Sequence, residues 1–201
     1  MSFLRALLGR SKPAKPDLDR LFALPSAAVT LQATSGFTAT GTGSVAFRAA
    51  EGQAFATLER EITDLLNADG GPRVEPVADE YGYTWLVLRS GSGDPGPSGD
   101  PAAPTGISDL VTDLHAVNST LEGAGFGPSL LCSLVAFADG RGRRVALVYL
   151  YKRGTFYPFA PLGGQRRDNA LELQVEAAVA GDLAVERDKS RWFPVYAAPG
   201  L

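Results

Sequence analysis

Residues 107–161 read ISDLVTDLHAVNSTLEGAGFGPSLLCSLVAFADGRGRRVALVYLYKRGTFYPFAP, and this stretch decides the fold. Ile107, Leu110, Val111, Leu114 and Leu121 recur at helical spacing and make one apolar stripe. Ser108 is placed to cap this helix, and Asp109 stands where the helix dipole favours an acid. Gly123 and Gly125 end it. Leu130–Phe137 is then almost wholly apolar, Asp139-Gly140-Arg141-Gly142 is a turn, and Val145–Tyr151 is a second apolar run. Lys152-Arg153-Gly154 turns the chain again into Phe156–Ala160. The stretch is one helix feeding a β-meander. Leu147, Tyr149 and Tyr151 alternate with Ala146, Val148 and Leu150, so both faces are apolar and the sheet should be covered on both sides.

Upstream, residues 90–106 hold mostly Gly, Pro, Ser and Asp and read as a flexible loop. It divides the chain into two halves of similar size. In the first half, Asp17 opens a short helix with Leu18, Leu21 and Phe22 inward, which Pro25 ends. Ala27–Ala33 and Gly43–Phe47 read as strands, Phe55, Leu58, Ile62, Leu65 and Leu66 as a helix, and Val74–Ala78 with Tyr83–Leu88 as a strand pair. Downstream of the meander, Asn169 and Glu172 fit a capping box for a helix carrying Leu171, Val175, Ala178 and Val179. Val185, Trp192, Phe193, Val195 and Tyr196 suggest a last strand or docked tail, with Pro194 requiring an edge position. The expected fold is α+β, a mainly antiparallel sheet with packed helices. It is a single domain over residues 17–201 whose halves run ββαββ and αβββα, preceded by an arm at residues 1–16.

The formal net charge is −3, which argues against a nucleic-acid binder. Cys132 is the one cysteine, so no intramolecular disulfide forms and a reducing compartment is expected. No apolar run approaches the roughly 20 residues that span a bilayer, and no secretory leader is evident. The expected location is the cytoplasm, with peripheral contact to the inner face of the membrane as a further expectation.

That contact rests on the arm. Phe3, Leu4, Leu7 and Leu8 share one side of a short helix beside Arg5 and Arg10, a pattern that suits anionic headgroups, although docking on the domain or a frayed terminus is the favoured reading. A second basic group follows from the meander. Arg141, Arg143 and Arg144 sit at one hairpin tip, and the antiparallel path returns Arg166 and Arg167 to the same end of the sheet. Five arginines there suit an acidic partner or lipid headgroups, but ordinary surface charge offset by nearby acids is the favoured reading. Tyr81, Tyr83 and Trp85 alternate and share a strand face, either a ligand platform or core.

Catalysis is poorly supplied. His115 is the only histidine, and Cys132 lies in an apolar run with no thiolate-stabilising neighbour in sequence. Gly41-Thr42-Gly43-Ser44-Val45-Ala46 imitates a dinucleotide loop, but a strand follows where a helix N-terminus is needed. No metal spacing or nucleophile elbow occurs, so no catalytic residue, metal or cofactor is assigned.

Several segments together resemble the PspA-associated protein PspAB family. They are Met1–Arg10 (MSFLRALLGR), Asp17–Ala27 (DLDRLFALPSA), Tyr83–Val87 (YTWLV), Asp109–Asn118 (DLVTDLHAVN) and Gly125–Pro128 (GFGP). None is a catalytic signature. The resemblance implies a cytoplasmic, non-enzymatic adaptor or regulatory protein in a phage-shock-type envelope-stress response. It implies a PspA-like protein or an HtpX-type membrane protease as partner. The alternative is a soluble peptide- or small-ligand-binding, chaperone-like domain using the Tyr81/Tyr83/Trp85 face.

Overall fold

The structure is a computed structural model that describes residues 16–48, 55–67, 73–90 and 106–201. A 3-10 turn at Leu18–Ala23 leads into α1 (Leu24–Ser35), β1 (Thr38–Phe47), α2 (Phe55–Asn67), β2 (Glu75–Ala78) and β3 (Thr84–Arg89). Then come α3 (Ile107–Gly123), β4 (Leu130–Ala138), β5 (Arg144–Leu150) and β6 (Thr155–Phe159). A small hairpin, β7 (Pro161–Leu162) and β8 (Arg166–Arg167), precedes α4 (Asn169–Val179) and an irregular tail. The fold is α+β, and one six-stranded antiparallel sheet in the order β2-β3-β1-β4-β5-β6 carries it. The β1–β4 pairing, with Val45 opposite Ser133, stitches three strands from each half into that sheet.

Both sheet faces are covered, as the apolar alternation requires. Val45, Phe47, Leu86, Val135, Phe137, Leu147 and Tyr149 face α1, α3 and α4 in the larger core. Ala46, Trp85, Cys132, Leu134, Val148, Leu150 and Tyr157 face the other way. The tail covers this second face with Trp192 and Ala198. Gly200 seats it: its φ is 93°, and a Cβ there would stand 3.1 Å from Thr42 Cγ2 and 3.2 Å from Ala136 Cβ. Tyr81, in the turn at the β2–β3 edge, accepts a hydrogen bond from Gln165 of the β7–β8 tip at 2.7 Å. That contact joins the turn of one sheet edge to the hairpin that follows the other.

Several local expectations are corrected. Ala27–Ala33 is not a strand but lies inside α1, because Leu24, Ala27 and Leu31 bury at helical spacing. Pro25 does not stop a helix. It sits in the first turn of α1, where a missing N–H leaves no bond unmade. The first half therefore does not run ββαββ: α1 stands where its first strand was expected. Gly106 rather than Ser108 caps α3, and Asp168 rather than Asn169 caps α4, its carboxylate accepting the Leu171 N–H at 3.0 Å. Of the two readings of the last segment, strand or docked tail, the docked tail is the one observed. It makes one parallel bridge, Val185 to Phe156, and then runs irregularly. Phe3, Leu4, Arg5, Leu7, Leu8 and Arg10 lie outside the described residues, as does most of the loop expected at residues 90–106.

Candidate functional site

The β4–β5 turn is built on Asp139. Its Oδ1 accepts the backbone N–H of Arg141 at 3.0 Å and of Arg143 at 2.8 Å, and its Oδ2 accepts from Arg143 Nε at 2.7 Å. Burial pushes the Asp139 carboxyl up, but these hydrogen bonds and the guanidinium charge outweigh it and hold it below the usual carboxylate range. Arg143 also lies over the Phe37 ring at 5.2 Å. Arg144 donates to the Gly200 carbonyl at 3.2 Å, and Arg141 is exposed. Facing this turn is the β7–β8 tip, Gly163-Gly164-Gln165, where Gln165 holds a φ of 55°.

Between them lies a cleft of about 530 Å³ with Arg141, Arg143 and Arg144 on one wall and Leu162 to Gln165 on the other. Tyr196 and Leu201 of the tail complete it. Among the described residues, Asp168 is the only one to bring a carboxylate side chain to the lining. Its Oδ1 is engaged by the N-terminus of α4. The other two arginines of the expected edge separate. Arg166 is exposed and folds back on its own hairpin, donating to the Gly163 carbonyl at 3.0 Å. Arg167 turns inward to Glu172 at 2.9 Å and the Trp192 carbonyl at 2.6 Å, and lies over Phe159 at 5.0 Å, so it holds the tail to the sheet. Among the described residues, Arg141, Arg144 and Arg166 stand in no ion pair.

At the other end of β5 the second face opens into a cavity of about 300 Å³. Tyr83 and Trp85 line it; Tyr81 does not, being tied to Gln165 instead. Trp85 is fixed by Asp79, whose Oδ2 accepts its indole N–H at 2.9 Å, and Tyr83 lies under Arg48 at 5.5 Å. Cys132 lines the same cavity, and burial pushes its thiol up to about 12, so it stays protonated and packs as a small apolar group.

A protein-family model described as PspAB, PspA associated protein B, matches residues 1–200. The chain belongs to the PspAB family. No curated protein and no solved structure matches it.

Within this PspAB chain the one histidine and the one cysteine stand apart. His115 lies on α3, on the helix-covered side of the sheet, while Cys132 faces the opposite side. The His115 Nε2 lies 3.2 Å from Asp19 Oδ1, and its ring packs on Phe22 with centroids 4.8 Å apart. No Cys–His pair is assembled. Among the described residues no group of three His, Cys, Asp or Glu is placed to hold a metal ion, and no helix is long and apolar enough to cross a membrane.

Sequence reasoning missed the tail as a wall of both the cleft and the cavity, because its contacts follow no period. It also missed the two turn-organising acids. Asp79-x-x-Gly82 and Asp139-x-x-Gly142 are the same turn, each with the Asp Oδ1 accepting two backbone N–H groups and with φ near 80° at the glycine. An Asp followed by Gly three residues on is a sequence signal for this geometry.

Proposed function

We propose that this PspAB-family chain is a non-enzymatic adaptor of a phage-shock-type membrane-stress response, and that it binds an acidic segment of a PspA-like partner in the arginine cleft. The observation that carries the reading is the cleft itself. Three guanidinium groups from one turn line it, and two of them, Arg141 and Arg144, have no carboxylate partner among the described residues. Guanidinium groups pair with carboxylates through two parallel hydrogen bonds, so such a wall selects acidic side chains over neutral ones. Family membership supports PspA as the partner class. An HtpX-type membrane protease is the other partner this reading admits, and the basic arm at residues 1–16 adds weak affinity for anionic membrane.

The test is co-sedimentation of the full chain with anionic vesicles, with and without a purified PspA-like partner from the same cell. Arg141→Glu with Arg144→Glu should weaken partner capture by about tenfold to a hundredfold, the loss of about 1.5–3 kcal/mol expected when close charge pairs are reversed. Both side chains are on the surface, so circular dichroism should be unchanged. Equal capture by the variant sinks the cleft as the partner site, and no capture by the wild type sinks the adaptor reading. Removing residues 1–12 should lower sedimentation without partner; unchanged sedimentation removes the arm's role.

A further inference from the structure

We infer that the cavity on the second face of the sheet is a binding site for a single-chain anionic amphiphile, an alkyl chain ending in a carboxylate or phosphate head. The walls are apolar: Ala46, Trp85, Leu131, Leu150, Phe193 and Val195 contribute most of them. At about 300 Å³ the cavity is at the lower end of small-molecule sites, and it is twice the size of a ~150 Å³ engineered cavity that takes up benzene.

Two polar groups in the walls are already satisfied by the protein. The Trp85 indole N–H is held by Asp79 at 2.9 Å, and the Tyr157 hydroxyl donates to the Phe193 carbonyl at 2.9 Å. A peptide entering here would leave its own amides without partners, at a cost an alkyl chain does not incur.

The mouth supplies charge of one sign. Lys152, Arg153 and Arg191 line it, and among the described residues no acidic one does. Glu186 and Asp188 stand behind Arg153 and Arg191 and fix them, through Arg153 Nε to Glu186 and Arg191 Nε to Asp188 at 3.1 Å. The Lys152 ammonium donates to the Pro128 carbonyl at 3.2 Å and stands in no ion pair among the described residues, so two of its three donors remain for a ligand. Phe193 is 57% exposed beside these cations, an apolar surface that an entering chain would cover. An apolar slot whose mouth holds Lys152 outside any ion pair, beside two arginines fixed by acids, binds a chain with an acid at its end in preference to the neutral chain.

The probe is a dansyl-labelled undecanoate, titrated into the full chain with tryptophan excitation. Trp85 lines the cavity, so binding should give sensitised dansyl emission that excess dodecanoate removes. Lys152→Glu, at an exposed position, should weaken dodecanoate by about tenfold while changing dodecanol by less than about twofold. Ala46→Leu, which fills the floor, should remove the signal. Vesicles of phosphatidylglycerol distinguish the source. If they displace the probe, the site draws an acyl chain from lipid; if only dodecanoate does, it takes free fatty acid. Absence of energy transfer overturns the site. Equal competition by dodecanol and dodecanoate, unmoved by Lys152→Glu, overturns the anionic head.

Discussion

At the scale of single residues, the polar groups that matter most are buried acids acting as anchors. Glu186 is 3% exposed, yet it carries three hydrogen bonds: from Arg153 Nε, from Thr155 Oγ1 at 2.9 Å and from the Asp188 N–H at 3.0 Å. Burial pushes its carboxyl up, but the hydrogen bonds from Asp188, Arg153 and Thr155 and the charge of Arg153 prevail and leave it below the ordinary range. A carboxyl depressed in the folded state stabilises only while ionised. Its contribution is therefore full above the unfolded value of about 4.3, and is lost as pH falls through the folded value. Glu186→Gln keeps the shape and removes the charge. Urea unfolding at pH 7 should show a loss of about 1–3 kcal/mol, the value of charge-assisted hydrogen bonds, and the gap to wild type should close in acid. A gap that is constant with pH would show that the charge is not what Glu186 contributes.

At the scale of elements, how closely α3 approaches the sheet is set by a missing side chain. A Cβ on Gly43 of β1 would stand 3.1 Å from Leu114 Cδ1 and 3.2 Å from Leu110 Cδ1. Strand propensity alone says Gly43→Val should stabilise, by up to about 1 kcal/mol. Over-packing a filled core costs about 1–3 kcal/mol, and the buried Leu110 and Leu114 have nowhere to move. Sterics should prevail, giving a net loss of about 1–2 kcal/mol in urea unfolding. A stabilised variant would mean that α3 can lift from β1. The helix itself was legible in the sequence, since Ile107, Leu110, Val111, Leu114 and Leu121 carry the period and all are buried. So was the β4–β5–β6 meander, where apolar runs and Gly-containing turns agree. Helix α1 was not. Val29 and Thr30 favour a strand locally, and the burial of Leu24, Ala27 and Leu31 that decides the matter comes from tertiary packing.

At the scale of the whole molecule, the tail is the piece that ties both candidate sites to the fold. The arginine turn was legible because an antiparallel path fixes which turns share an end. The tail's part in each site was not, because its burial rests on single anchors rather than a pattern. Trp192 is the chief anchor. It is 5% exposed, stacks on Tyr157 at 6.0 Å, donates its indole N–H to the Glu186 carbonyl at 2.9 Å, and offers its own carbonyl to Arg167 at 2.6 Å. Trp192→Ala removes a large buried ring and should cost about 3–5 kcal/mol in unfolding, with earlier protease cleavage in the tail. Because Tyr196 and Leu201 wall the cleft while Phe193 and Val195 wall the cavity, a loosened tail should weaken partner capture and dodecanoate binding together. Lys152→Glu, by contrast, touches only the cavity. If Trp192→Ala stays folded and impairs one site but spares the other, the tail is not a common support, and each site rests on its own strands.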